Sequence, residues 1–191
     1  MCNTYGLEHP ITIINQAFSQ TQMPLIFPTG APNLEPRPLI RPTDVAPIVR
    51  NSEAGPELVS RRWGFKPPQP KAGPVINFRG EGRRFSPASR CLIPASYFFE
   101  FTGEKYPKTK WRFTLAGEPF LCIAGLWRPE GPDCPEAWTM LTVEPGPDVA
   151  PYHNRQVVVL RREQWADWLG GGAEAELLRP LPAGSLEVEQ A

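Results

Sequence analysis

Apolar positions in this chain fall mostly into short runs with a two-residue alternation, and few recur at helical spacing. Trp111–Leu115 alternates and stops at the turn signal Gly117-Glu118-Pro119. Phe120–Trp127 is almost continuously apolar, the pattern of a strand covered on both faces. Arg90–Pro94 leads into the aromatic run Tyr97–Phe101, and Trp138–Val143 and Gln156–Leu160 read as two further strands. Helical spacing is confined to Ile11–Phe18, Ala173–Leu178 and Glu163–Leu169. The last carries Trp165, Trp168 and Leu169 on one face and is ended by Gly170-Gly171-Gly172. Pro24–Pro47 is rich in proline and reads as extended segments and turns. Together these elements predict an α+β fold: a β-rich single domain with a curved, barrel-like antiparallel sheet and a few short helices. No repeat or clean linker divides the chain. One domain is therefore expected over 1–191, with its core at about 2–169 and a C-terminal tail at 170–191.

Composition sharpens this picture in two ways. The 25 prolines and 16 glycines cut helices short and favour strands joined by turns. The formal net charge is zero, so no global field draws the molecule toward nucleic acid. The charges are nonetheless segregated. From Arg37 to Arg90 eleven cations face only Asp44, Glu53, Glu57 and Glu81, while beyond Arg162 six carboxylates face Arg179 alone. That asymmetry fits a basic face, although ordinary surface charge produces the same pattern. The four cysteines, Cys2, Cys91, Cys122 and Cys134, form no CxxC pair, and the histidines are His9 and His153, so no metal site is expected. Cys91 and Cys122 sit in apolar runs as core residues; Cys134 reads as an exposed loop thiol. No signal peptide or membrane span is visible, and a cytoplasmic protein with reduced thiols is the expectation.

The most informative position is Cys2. Methionine is usually removed ahead of a small side chain, which would leave an N-terminal amino-thiol. Its amine titrates near ~8 and its thiol near ~8.5, so both have reactive fractions at neutral pH. Such a pair condenses with an aldehyde to an imine and closes a thiazolidine ring. The thiolate is alternatively an acyl nucleophile using its own amine as base, or the cysteine merely follows Met1. Capture of a sugar aldehyde further requires an acid to open the hemiacetal, a carboxylate to handle amine protons, donors for the sugar and cations for flanking phosphates. His153, in PYHNRQVVVL, has the right proton affinity, or is a surface turn residue. Glu100, ending YFFE, gains a raised pKa if buried, or points to solvent by strand alternation. Asn77 and Arg79, in VINFRGE, offer a donor and a phosphate clamp, or mark a strand-to-turn transition.

Met1-Cys2, RRWGFKP at Arg61–Pro67, NFRGE at Asn77–Glu81, SRCLIPASYFFEF at Ser89–Phe101 and LTVEPGPDVAPYHNRQVVVL at Leu141–Leu160 occur in a fixed order. In this the chain resembles the SRAP (SOS response-associated peptidase) family, which shields abasic DNA, from Cys2 to about Leu169. The resemblance implies that Cys2 forms the thiazolidine, that Asn77 positions the nucleophile and sugar, that Glu100 shuttles protons and that His153 promotes ring opening. It also implies that Thr142 lies near the lesion, that Arg79 and Arg155 hold flanking phosphates, and that Trp63 and Phe65 wedge or stack at a DNA junction. The implied partner is single-stranded or junction DNA containing abasic sites, bound by a monomer in the cytoplasm, at the nucleoid when on DNA. No metal, organic cofactor or membrane is implied. Weak lyase activity is a corollary of an imine intermediate. The chain departs from the family pattern at several points. It reads Met-Cys-Asn-Thr where Met-Cys-Gly-Arg is common, so Thr4 removes a cation. Phe78 replaces a small residue, the loop between Trp63 and Asn77 is short, and the end LEVEQA lacks the usual Val-Ser…Asn segment. Two alternatives stay open: a cysteine peptidase with Cys2 as nucleophile and His153 as base, and a noncatalytic single-stranded DNA-binding module.

Overall fold

The computed structural model describes residues 2–69, 71–132 and 134–191. Met1, whose removal the sequence argument requires, lies outside them. In chain order the elements are β1 (Tyr5–Leu7), α1 (Ile11–Gln20), β2 (Arg37–Ile40), β3 (Val45–Ser52), β4 (Gly55–Trp63) and β5 (Asn77–Arg79). Next come β6 (Arg90–Ala95), β7 (Tyr97–Thr102), β8 (Thr109–Leu115), β9 (Leu121–Arg128) and β10 (Ala137–Val143). The chain closes with β11 (Gln156–Val157), β12 (Val159–Leu160), α2 (Trp165–Gly170), α3 (Glu174–Leu177) and β13 (Leu186–Gln190).

Strands β10, β4, β3, β6 and β9 pair in that order, and β9 pairs back onto β10, so the sheet closes on itself. Closure removes the sheet edges that would otherwise template aggregation. The interior is filled by β6, β10 and β9: all of the first two and all but the last two residues of β9, the run that reads as covered on both faces, are buried. The expected barrel-like sheet is present, but it is not wholly antiparallel. β10 runs parallel to both β4 and β5, which follow one another along it: Arg62 and Trp63 pair with Ala137 and Trp138, then Asn77–Arg79 pair with Met140–Thr142. The chain thus leaves the sheet at Gly64 and re-enters at Asn77 in the same direction. Gly64, at φ +111°, makes the exit, and its N–H donates to the Trp138 carbonyl at 2.7 Å.

A second sheet, ordered β13-β8-β7-β1-β2, packs beside the barrel. Its outer strand corrects the expectation from sequence. Leu186–Gln190, expected within a tail, pairs along β8 from Leu115 to Trp111. Val45–Trp63 is likewise a full antiparallel hairpin, whereas proline content alone predicts extended segments and turns up to Pro47. The two helical segments near the C-terminus fall where their spacing predicts, and Gly171 ends α2 with a left-handed φ of +95°. Among the described residues no helix is long and apolar enough to cross a membrane.

Candidate active site

The N-terminal segment is held between the two sheets. β1 pairs with β7 through Tyr5 and Phe98, and the Phe99 N–H donates to the Thr4 carbonyl at 3.1 Å. The residues ahead of β1 therefore run antiparallel to β7, toward Glu100. From the barrel side, Asn77 at the start of β5 donates through Nδ2 to the Cys2 carbonyl at 2.7 Å. Its Oδ1 is buried without a hydrogen-bond partner among the described residues, an acceptor left open beside Cys2. The register of β5 on β10, with Asn77 opposite Met140, is what places Asn77 here.

Glu100 does not follow strand alternation to solvent. It is 1% exposed, because β7 at this level is covered on both faces. Burial pushes its carboxyl up to about 7, against the opposing hydrogen bond from the Cys2 backbone N–H. A carboxyl titrating there can both accept and return a proton at neutral pH. His153 follows a turn in which its N–H donates to the Val149 carbonyl at 3.0 Å. Its Nε2 lies 3.9 Å from Glu100 Oε2, and its Nδ1 lies 3.0 Å from both the backbone N–H and the carbonyl of Arg155. Burial holds its pKa below the ordinary 6.5, and the charge of Lys108 acts the same way. The Cys2 thiol is 1% exposed and donates to the Thr4 carbonyl at 3.3 Å. Burial, with Glu100 adding to it, pushes its pKa up to about 12, so it is a neutral thiol in this state. A pocket of about 500 Å³ opens over Glu100 and His153, walled by Asn3, Thr4, Arg41 and the β7–β8 turn.

The four positions expected to carry the chemistry, Cys2, Asn77, Glu100 and His153, thus lie together. The residues expected to bind DNA divide. Arg79 is exposed at the end of β5. Arg155 is buried, and its guanidinium is committed to a bidentate pair with Glu81, to Glu144 at 2.9 Å, and to the Thr142 carbonyl at 2.9 Å and hydroxyl at 3.2 Å. Its link to the site runs through its main chain, which grips the His153 ring. Thr142 is a buried strut beneath Arg155. Trp63 is 0% exposed, stacked on Trp138 at 5.3 Å with Tyr5 edge-on, and its indole N–H donates to the Ile76 carbonyl at 3.0 Å. A ring so enclosed presents no face to a base; it ties the two sheets together, an arrangement worth about 1 kcal/mol beyond its burial. Phe65 is also buried, under the guanidinium of Arg128 at 4.4 Å. Arg41, Tyr106, Lys108 and Lys110 also line the pocket, and none of the motifs points to them. The cationic turn sequence GEKYPKTK, two residues after YFFE, is the signal that could have found the last three.

A closed barrel flanked by a second sheet, holding an N-terminal cysteine against asparagine, glutamate and histidine, defines a class of small β-rich proteins. The chain belongs to the SRAP family: the model described as SOS response associated peptidase (SRAP) matches residues 1–191. It is similar to the abasic site processing protein YoaM of Bacillus subtilis, 26% identical over all of this chain and 90% of the relative. The abasic site processing protein YoqW of the same organism is 27% identical over all of this chain and 92% of the relative. Among solved structures, a protein of Bordetella bronchiseptica superposes with a TM-score of 0.75 at 24% identity, covering 100% of this chain and 99% of that one. A phage-related protein of the same species gives 0.74 at 20% identity, covering 100% and 94%. These two share the fold.

Proposed function

We propose that this protein captures abasic sites in single-stranded DNA covalently, through a thiazolidine closed on Cys2 after loss of Met1. The α-amine of Cys2 attacks the C1′ aldehyde of the ring-opened deoxyribose, and water leaves to give an imine. The Cys2 sulfur then adds to the same carbon, and the thiol proton ends on the ring nitrogen. The sum is one aldehyde plus one amino-thiol giving one thiazolidine and one water, with no oxidant or reductant. His153 supplies the proton that opens the sugar. Glu100 takes the amine proton and returns it to the departing hydroxyl. Asn77 holds the Cys2 main chain and offers its unused Oδ1 to the sugar. The imine also gives a route to strand cleavage, so low lyase activity accompanies capture.

The observation that carries this reading is that Asn77 and Glu100, from different sheets, both engage the main chain of Cys2. The site is built around the nitrogen of that residue as much as around its sulfur. A peptidase built on a Cys–His pair would want the imidazole on the thiol, whereas the thiol donates to the Thr4 carbonyl. The names of the Bacillus relatives fit the same reading. Intact mass after incubation with abasic single-stranded DNA is the test. The expected product is the chain without Met1 plus the oligonucleotide less one water, stable to heating and absent from Cys2→Ala. An equally stable Cys2→Ala product would refute it.

A further inference from the structure

The pocket over Glu100 and His153 has a cationic wall that the roles above leave unused. Two of the family's expected phosphate contacts are missing here: Thr4 carries no charge, and Arg155 is neutralised by Glu81 and Glu144. Arg41, just after β2, and Lys108 and Lys110, at the start of β8, line the same pocket. The neighbouring cations have carboxylates of their own, since Arg37 pairs with Asp44 and Arg112 with Glu189. Among the described residues Arg41, Lys108 and Lys110 have no ion-pair partner, and Glu100 is the one carboxylate lining the pocket. The Lys110 ammonium lies 3.6 Å from the Phe99 ring centroid, so its place on the wall is fixed. Burial lowers its pKa, with the charges of Arg41 and Arg112 adding to the effect, which shows like charges crowded together. Such crowding is unfavourable until an anion arrives. On the rim stands Tyr106, 88% exposed, with the Lys108 ammonium 5.8 Å from its ring centroid. A large aromatic side chain this bare, beside cations at a pocket mouth, has the form of a stacking platform.

We infer that Arg41, Lys108 and Lys110 bind the phosphates of a single strand beside the lesion and that Tyr106 stacks on a neighbouring base, so that this wall takes over the phosphate binding that Thr4 and Arg155 do not provide. The inference rests on the abasic-capture reading, but its test separates the two. Binding is measured with single-stranded DNA carrying a tetrahydrofuran abasic analogue, which has no aldehyde, across a salt series. Reaction is measured with free 2-deoxyribose, which has an aldehyde and no phosphate. For the Arg41→Ala/Lys108→Ala/Lys110→Ala variant, the slope of log affinity against log salt should fall by roughly 2, about 0.7 for each phosphate no longer neutralised. Its deoxyribose adduct should still form, because Cys2, Asn77, Glu100 and His153 are all kept, at a rate that reflects the loss of the Lys108 charge acting on His153. Tyr106→Ala should weaken tetrahydrofuran-strand binding by roughly fivefold or more while Tyr106→Phe keeps it. An unchanged slope in the triple variant overturns the assignment. So does an equally large fall per cation removed in the control Arg83→Ala/Arg84→Ala, which would mean that net charge alone is acting. Failure of the parent to capture deoxyribose would instead count against the thiazolidine reading and leave the binding result standing.

Discussion

Glu100 is held in a state that costs the fold stability, and the cost can be read out by pH. Its carboxyl is buried at 1% exposure and its pKa rises from the ordinary 4.5 to about 7, chiefly through burial. Below pH 4.5 the group is neutral in the folded and unfolded chains alike and contributes no difference. Between 4.5 and 7 the folded chain holds a proton that the unfolded chain has released, so stability falls as pH rises. Above 7 the full penalty stands, and the gap corresponds to about 3 kcal/mol. Glutamine keeps the shape and an acceptor for the Cys2 N–H but never ionises. Glu100→Gln should therefore be more stable than the parent by up to about 3 kcal/mol at pH 8, with the advantage vanishing toward pH 4. Urea denaturation followed by tryptophan fluorescence at pH 4, 6 and 8 measures it. A stability difference that does not change with pH would refute the argument, as would a variant less stable at pH 8. The same variant should form the Cys2 adduct more slowly if, as proposed, Glu100 carries the proton. A gain in stability with a loss of reactivity is the signature of a group kept for chemistry.

Other consequences follow from the same geometry. Arg155→Ala should cost roughly 1–3 kcal/mol of stability, a range below that of fully buried pairs because Glu81 and Glu144 are 38% and 79% exposed. Arg155 holds the Glu81 carboxyl below its ordinary value, so the part of this loss due to Glu81 is present at neutral pH and fades as the medium is acidified through the carboxylate range. The salt slope of binding to the tetrahydrofuran strand should stay as in the parent; a fall of about 0.7 would mean that Arg155 meets phosphate after all. Gly6→Ala should destabilise by roughly 1–3 kcal/mol and slow adduct formation together, since its methyl would overlap the buried Tyr97 ring and push β1, which carries Cys2, off β7. Urea midpoints and adduct rates test this, and normal values for both would contradict the packing.

The strands that were legible in the sequence are those whose burial leaves a local trace. β9 is apolar on both faces because both faces are covered, and the run of letters carries that directly; β10 is buried throughout although it carries Thr139 and Thr142. The β3–β4 hairpin is hidden because its sequence mixes proline, arginine and glutamate, and its polar side chains are satisfied by cross-strand pairs that composition does not display. Arg50 bonds Glu57 at 2.8 Å and Glu136 at 3.2 Å, and Arg61 also pairs with Glu136. Pairs of this kind take four of the eleven cations between Arg37 and Arg90 out of any basic face. Arg37, Arg50, Arg61 and Arg90 are all neutralised, Arg90 inside the core against Glu174 and the Trp168 ring. Counting charges along a chain cannot separate a cation that faces solvent from one that, like Arg90, has found its anion 84 residues away.

The candidate site shows the same division between what is local and what is assembled. Cys2, Asn77, Glu100 and His153 could be named from motifs, but the burial of Glu100 could not, because alternation along β7 points it to solvent. What decides the matter is that the N-terminal segment lies down beside β7 and covers it, and that depends on β1 pairing between β7 and β2. The segment that brings Cys2 is therefore also one that shields the carboxylate from water. Displacing it should restore ordinary acidity to Glu100 at the same moment that it takes Cys2 away, so in this fold reactivity and the integrity of β1 are one property.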